Sequence, residues 1–257
     1  MIFRVARGAD RLFELPMPPL AIDALVVSCE HAGNRVPERY RVAFQTARAT
    51  AALESHRGYD LGALFVAEAL AKRFAAELIY SDVSRLVVEL NKSIGHPKLM
   101  SEFTQHLDQT AREALLRDHY LPHRERVEAA VRRHVTGGRM TLHLGIHSFA
   151  PTLGGRVRQA DIGLLYDPQR AQEKELCTRW RRSICGLAPE LRVRRNYPYR
   201  GDADGLTTTL RRVFPPEAYL GIEVELNQAL TASAGEAREA LTEVLGEALA
   251  AQRRCSV

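Results

Sequence analysis

The sequence predicts an α/β protein whose mixed, mostly parallel sheet is flanked by helices. Short apolar segments with the length of strands alternate along the chain with longer segments of helical periodicity, a pattern that favours a parallel sheet covered on both faces. The chain has 257 residues, of which 46% are hydrophobic and 26% charged. That length and composition predict one soluble domain over residues 1–257.

The first half of the chain contains the first strands and a proline-interrupted helical segment. Strands are predicted where apolar residues form short runs, and helices where they recur every three or four positions. Pro122 should split or kink its helix, because proline lacks the backbone N–H. In order, the predictions are a strand at 24–28, a helix at 60–74, strands at 77–80 and 85–90, a loop at 91–104 and a helical stretch at 105–135.

The second half repeats the alternation of strands and helices. Residues 141–147 (TLHLGIH) alternate apolar and polar side chains, as a strand does. The segment NYPYRGDADG has the composition of a loop. The predictions are strands at 141–147, 161–166, 191–195 and 219–226, loops at 150–160 and 196–205, and helices at 168–185 and after residue 226.

Composition limits the partners and the compartment. The net charge of +5 permits a nucleic-acid partner, but no zinc finger, RNA-binding strand motif or basic tail accompanies it. No apolar run approaches the ~18 residues of a membrane span, and the N-terminus lacks a secretory h-region. Four scattered cysteines without a C-x-x-C pair predict neither disulfides nor a cysteine zinc site. We therefore expect a cytoplasmic protein without nucleic-acid or membrane partners.

Polar side chains lie at the ends of three predicted strands. Glu30 and His31 follow the first strand, and His147 ends the strand at 141–147. Glu223 and Glu225 are two residues apart on the last strand and therefore share a face. In open α/β sheets, ligands bind beyond the carboxyl ends of the strands. These side chains are therefore candidates for one site.

Two histidines and a carboxylate with an open fourth position are the usual donors of a hydrolytic zinc site. His31 and His147 are the candidate histidines, with either Asp60 or Glu30 as the acidic ligand and Glu225 as the base. Taken singly, each residue also has a structural explanation, such as a hydrogen-bonded histidine or a salt-bridged glutamate. No G-x-S-x-G, P-loop, G-x-G-x-x-G or H-E-x-x-H motif points to another chemistry.

Seven short motifs occur in a fixed order between about residues 24 and 230. They read CEHAGNRVP, SHRGYDLGA, SRLVVELNK, LGIHSF, DIGLLYDP, NYPYRG and IEVELNQ. Together they resemble the N-formylglutamate amidohydrolase family, and in particular its less characterised members. The resemblance implies a fold like that of the zinc-dependent exopeptidases and metal-assisted hydrolysis of the amide in an N-formyl or N-acyl acidic amino acid.

The resemblance also implies roles for individual residues. His31, Asp60 and His147 match the metal ligands, with Zn²⁺ or another divalent metal as cofactor, and Glu225 matches the general acid/base. The substrate, a small anionic N-acylated amino acid, would contact Arg85, Asn91, Lys92, Ser148 and Glu223, with Arg156 and Arg200 in reserve.

Two positions depart from the patterns that the resemblance suggests. Lys92 stands where arginine is more usual, which removes bidentate geometry for an anionic substrate. Asn34 stands where carboxypeptidase-like sites have the glutamate of H-x-x-E, so the acidic ligand must come from elsewhere; Asp60 ranks above Glu30 because Glu30 should point away from its neighbour His31. A related carboxypeptidase or deacylase with another substrate, and a non-enzymatic basic binding protein, are the alternatives.

Overall fold

A six-stranded sheet forms the centre of the structure, a computed structural model that describes residues 20–232 and 235–253. Strands β4 and β5 form a separate two-stranded hairpin. The strands are β1 (Ala24–Cys29), β2 (Glu77–Tyr80), β3 (Thr141–Phe149), β4 (Thr152–Leu153), β5 (Arg156–Val157), β6 (Ile162–Leu165), β7 (Val193–Arg195) and β8 (Tyr219–Asn227).

Helices connect the strands and cover the sheet. The α-helices are α1 (Ala47–Leu53), α2 (Ala63–Arg73), α3 (Gln109–Leu115), α4 (Leu121–Thr136), α5 (Ala171–Leu187), α6 (Leu206–Val213), α7 (Gln228–Thr231) and α8 (Glu236–Ala250). A 3-10 helix (Glu38–Phe44) precedes α1. Among the described residues, no helix is long and apolar enough to cross a membrane.

The strand order is β2-β1-β3-β8-β6-β7. Neighbouring strands run parallel except for β6 and β8, which pair in antiparallel orientation. The predicted fold class is therefore confirmed: the sheet is mixed, mostly parallel and flanked by helices. The parallel arrangement of β1, β3 and β8 brings their carboxyl ends to the same edge, where the sequence predicts the site.

The two faces of the sheet pack against different helices. Leu25 and Val27 of β1 pack in the main apolar cluster, which contains side chains of α2, α5 and α8. Val26, which alternates with them, packs with side chains of α4 and α6 on the opposite face. Because side chains alternate along a strand, His147 of β3 lies on the α4 and α6 side, while Ile146 belongs to the main cluster. The polar site therefore occupies one face and the larger apolar core the other.

The strand predicted at residues 85–90 is wrong. This segment is a succession of turns, in which the Ser84 side chain accepts a bond from the Leu86 N–H and the Ser84 carbonyl accepts one from Val87. Its apolar side chains pack in a separate cluster with those of the 3-10 helix. The segment therefore has the apolar composition of a buried strand, but it does not pair with any described strand. The turns place Arg85 and Glu89 on the same side, next to the carboxyl edge of the sheet.

The helical stretch at 105–135 is interrupted where the sequence predicts it. A π-helical turn (Leu116–Tyr120) joins α3 to α4, and Pro122 lies in the first turn of α4. Proline is tolerated there because the N–H groups of the first turn have no partner within the helix. Cys29, Cys177 and Cys185 are free thiols, in line with the absence of a predicted disulfide; Cys255 and the N-terminal segment to residue 19 lie outside the described residues.

Candidate metal centre and active site

The register of β3 and β8 places His147 and Glu225 side by side. Their Cα atoms are direct partners in the parallel ladder, and both side chains are buried. Glu223 is the partner of Gly145 and points to the same face two residues earlier. Two central strands thus place an imidazole and two carboxylates at one edge of the sheet. The sequence alone could not establish this arrangement, because it does not give the register of the two strands.

His31 and Asp60 reach this edge from turns. His31 lies just beyond β1, and its carbonyl accepts a hydrogen bond of 3.0 Å from the backbone N–H of Asp60. Gly62 follows with a φ of 78°, and a Cβ on it would lie 2.0 Å from the carbonyl oxygen of Thr231. Only glycine fits this turn, which leads from Asp60 into α2 and holds the carboxylate at the sheet edge.

The three predicted metal ligands form one buried group. Asp60 Oδ2 lies 3.2 Å from His31 Nδ1 and 3.0 Å from His147 Nδ1. One ligand atom from each residue lies within 4.8 Å of the others, so one cation could contact all three. The backbone N–H of Ser148 donates to the same Asp60 oxygen at 3.2 Å. Two imidazoles and a carboxylate are a donor set typical of zinc.

The other nitrogen of each histidine faces a second carboxylate. His31 Nε2 contacts Glu89, and His147 Nε2 lies 3.1 Å from Glu30 Oε2. The second oxygen of Glu30 lies 3.4 Å from Nε2 of His123 on α4. Carboxylates behind metal histidines fix the orientation of the ring and raise its basicity. Glu30, the alternative acidic ligand, thus lies behind His147, whereas Asp60 lies between the two histidines.

Opposite charges compensate one another throughout this group. Burial alone would raise the pKa of Asp60, but His31, His147 and Arg85 hold it well below its ordinary range. Burial likewise opposes ionisation of Glu89, yet Arg85 and His31 keep its pKa low. Burial lowers the pKa of both histidines, but the facing carboxylates outweigh it and raise them above 6.5. The side chains of the site therefore form a network of charged groups.

Metal affinity should fall steeply as the pH is lowered, because protons and the metal compete for the same imidazole nitrogens. The raised pKa values of His31 and His147 mean that this loss begins above pH 6.5. We expect Zn²⁺ binding to weaken by about one hundredfold for each pH unit below both pKa values. Calorimetric titrations between about pH 6 and about pH 8 would measure it.

The Glu225→Gln variant is the control for this titration, because it removes the other group that titrates near neutrality and leaves both histidines in place. We expect the same pH dependence in the variant. A Zn²⁺ affinity that does not change with pH would contradict the assignment of the two histidines as ligands.

Glu225 is the buried carboxylate without a compensating partner. Its Oε2 is buried and has no hydrogen-bond partner among the described residues. Burial raises the pKa of Glu225 to about 7; His147 and Arg85 oppose this rise, and the negative charges of Asp60 and Glu223 add to it. A carboxylate of this pKa can both accept and donate a proton near neutral pH. Its free oxygen is a place where a reacting molecule can bind.

All five predicted substrate-binding residues line the same cavity as the metal group, a space of about 320 Å³. Most of their polar atoms are already bonded within the protein. The guanidinium of Arg85 donates to Glu89 at 2.6 and 2.9 Å and to Asp60 at 3.1 Å. Arg85 therefore orients the two acids around the histidines and presents only its remaining face to the cavity.

Asn91 and Glu223 hold the start of α6 against the site. Asn91 accepts from the backbone N–H of Leu206 at 2.7 Å and donates to Glu223 at 3.3 Å, and Thr207 donates to the same glutamate at 3.1 Å. Lys92 donates to the carbonyl of Asp204.

The remaining candidates divide between the cavity and the surface. The Ser148 hydroxyl donates to the carbonyl of Leu61 at 3.0 Å and accepts from Gln228. Arg200 lines the cavity but pairs with Asp202 at 2.6 Å. Arg156 is exposed on β5 and does not line this cavity.

Sequence reasoning missed Glu89 and His123. Glu89 lies in the segment predicted as a strand, although a carboxylate inside the apolar run LVVEL, four residues after an arginine, is a signal for a buried charge pair. His123 gave no signal, since one histidine on an amphipathic helix looks like a surface residue. Asn34, whose position had raised doubt about the acidic ligand, is exposed and donates to the carbonyl of Leu53 at 3.2 Å, away from the metal group.

Comparison with known proteins places this geometry in context. The chain matches the family described as N-formylglutamate amidohydrolase over residues 23–232. A crystal structure of gene product Atu2144 from Agrobacterium tumefaciens shares 32% identity, covers 90% of this chain and 92% of its own, and has a TM-score of 0.73. A crystal structure of N-formylglutamate amidohydrolase from Ralstonia eutropha has the same fold, with 17% identity, coverages of 91% and 94%, and a TM-score of 0.68. The comparison with curated proteins gave no significant match.

Proposed function

Because the chain belongs to the N-formylglutamate amidohydrolase family, and is thus an amidohydrolase, we propose that it is a metal-dependent enzyme that cleaves the amide of an N-formyl or N-acyl acidic amino acid. One observation carries the proposal. His31, Asp60 and His147 offer three ligand atoms within 4.8 Å of one another, in the same cavity as the unpartnered carboxylate of Glu225. A donor set beside a proton-transfer group is what hydrolysis of an amide requires.

The proposed reaction needs residues that bind the metal and residues that hold these ligands in place. His31, Asp60 and His147 would hold the metal, and Arg85, Glu89 and Glu30 would keep these ligands in place. Bound Zn²⁺ would polarise the substrate carbonyl and lower the pKa of a water molecule in the site.

Glu225 then acts in two steps. Its carboxylate takes the proton from the attacking water, and the resulting carboxyl group donates it to the leaving nitrogen of the amide. The pKa of about 7 suits both directions of transfer. Glu225 is buried on the ladder beside His147, so its carboxyl group has little contact with bulk water.

The metal and the extent of the domain are parts of the same proposal. We favour Zn²⁺ because nitrogen donors and a carboxylate suit it better than they suit Mg²⁺ or Ca²⁺, which prefer oxygen ligands. All proposed site residues lie within the matched residues 23–232, so we treat the whole chain as one catalytic domain. A carboxypeptidase-like or deacylase activity on another acyl amino acid is the alternative, and family membership argues against a non-enzymatic binding protein.

The test is a hydrolysis screen of the Zn²⁺-loaded protein against the N-formyl, N-acetyl and dipeptide derivatives of Glu, Asp and Gln. We expect the N-formyl derivatives of the acidic amino acids to give the highest kcat/KM, with no turnover after removal of the metal by a chelator and recovery after its return. Preference for a dipeptide would favour the alternative activity. The absence of turnover on every compound by the fully metallated protein would contradict both.

A further inference from the structure

A second cavity of about 190 Å³ opens beside the cavity of the metal centre. Arg85, Ser148 and Tyr199 line both spaces, so the two are adjacent. Ser148 and Phe149, the next residues along β3 after His147, form part of its wall. The other lining residues come from the turn before Asp60 and from the segment around the β4–β5 hairpin. They are His56, Arg57, Ala150, Leu153 and Arg158.

The second cavity is positively charged, whereas the first is mixed. Three arginines and a histidine line it, and none of its described lining residues is a carboxylate. Burial together with the nearby Arg158, Arg57 and Arg85 lowers the pKa of His56, as expected in a region of positive potential. Two of the arginines have acidic partners outside the cavity: Arg85 pairs with Glu89 and Asp60, and Arg57 pairs with Glu102.

Arg158 is the arginine without such a partner. Its guanidinium lies 5.1 Å from the ring centre of Tyr199 and 5.4 Å from that of Phe149, and it donates one bond of 3.0 Å to the Tyr199 hydroxyl. Its backbone N–H donates to the carbonyl of Pro151 at 2.8 Å. Among the described residues no carboxylate pairs with it. Stacking on aromatic rings fixes the plane of a guanidinium and leaves donors on its edge available.

We propose that this cavity is a carboxylate subsite in which Arg158 binds the end of the substrate that lies away from the scissile amide. The inference rests on the proposed function and narrows its substrate class to N-acyl amino acids in which a carboxylate can extend past Ser148 while the amide remains at the metal group. An arginine held by rings and without an internal acid can form the two parallel hydrogen bonds that a carboxylate accepts.

Either carboxylate of an acidic amino acid could fill this subsite, and matched substrates distinguish them. N-formylglutamine lacks the side-chain charge, and N-formylisoglutamine lacks the main-chain charge. We expect Arg158→Met to lower kcat/KM for N-formylglutamate about tenfold to one hundredfold, the loss expected for a hydrogen bond to a charged group. For the analogue that lacks the carboxylate bound by Arg158, wild type and Arg158→Met should have the same kcat/KM. The analogue with this behaviour therefore identifies which carboxylate binds in the second cavity.

Arg156→Met is the matched control, because Arg156 lies on the same hairpin, is exposed and lines neither cavity. It should behave as wild type. Arg158→Lys should recover part of the loss, since it restores the charge but not the fork of donors. Metal content and melting temperature of each variant verify that the fold is intact.

A binding experiment separates this inference from the proposed function. Glutarate, which cannot be hydrolysed, should bind the Zn²⁺-loaded wild type, and Arg158→Met should weaken it by the same factor. If no substrate turns over but glutarate binding depends on Arg158, the proposed function fails and the subsite stands. If N-formylglutamate is hydrolysed and Arg158→Met changes neither kcat/KM nor glutarate binding, the subsite is overturned. The subsite is also overturned if Arg158→Met lowers kcat/KM equally for N-formylglutamate, N-formylglutamine and N-formylisoglutamine. Glutarate binding of equal strength in wild type and Arg158→Met overturns it as well.

Discussion

Replacement of Glu225 by glutamine is expected to lower kcat by about one hundredfold to ten-thousandfold, the range found for loss of a general acid or base. Glutamine has nearly the same shape, but it can neither accept the proton of water nor return it to the leaving nitrogen. Because Oε2 of Glu225 has no hydrogen-bond partner in the part of the chain that the structure describes, the substitution breaks no hydrogen bond of that oxygen there. The variant should therefore fold and retain its metal.

The Glu225→Gln result requires three measurements: single-turnover or steady-state kinetics, metal content, and melting temperature. The melting temperature should stay the same or rise, since a buried carboxylate with a pKa of about 7 is replaced by a neutral amide. Glu217→Gln, an exposed position just before β8, serves as the control. Retention of wild-type kcat by Glu225→Gln would remove Glu225 from the mechanism, and loss of the metal would make it a ligand instead.

The second large effect is expected on the metal. His147→Ala should reduce bound Zn²⁺ from about one per chain to nearly none, because a three-ligand protein site does not survive the loss of one ligand. The same change leaves Glu30 and Asp60 facing each other's negative charge without the imidazole between them. Activity should fall together with the metal content.

His31→Ala should give the same result, and His106→Ala, which alters an exposed histidine, should not. Metal analysis after dialysis against trace Zn²⁺ compares the three variants. Glu30→Gln adds a graded case: as a residue behind His147 it should weaken metal binding about tenfold to one hundredfold rather than abolish it. Wild-type metal content in both histidine variants would contradict the ligand assignment, and complete loss in Glu30→Gln would make Glu30 a ligand.

Much of the fold could be predicted because its signals are local. The apolar strand β1, the alternating strand β3 and the helix interruption at Pro122 follow from periodicity and from the chemistry of proline. The segment at 85–90 could not be predicted correctly, since a turn that buries its apolar side chains has the same composition as a strand. A buried turn and a strand differ in whether the segment pairs with another strand. That pairing depends on residues elsewhere in the chain, so the segment's own sequence does not reveal it.

The candidate site shows the same limit at two histidines of one strand. His143 and His147 lie on the same face of β3, yet His143 is enclosed by Ser28 at 2.8 Å and Tyr219 at 2.9 Å. Burial there lowers the pKa of His143 to about 4, so it is a neutral structural residue. His147 instead faces Asp60 and Glu30. Spacing within the strand cannot distinguish these environments, because it says nothing about what other segments bring to the same place.

By itself, the sequence determined the fold class, the polar residues at the strand ends and the family motifs that connect them, since these depend on short-range pattern and chemical type. Only the tertiary structure decided that Asp60 lies between His31 and His147 while Glu30 and Glu89 lie behind them. It also decided that Arg158 lies beside the site without an acidic partner among the residues that the structure describes. The physical reason is that charge compensation and burial are sums over groups far apart in the chain, and folding alone brings those groups within a few ångströms of one another.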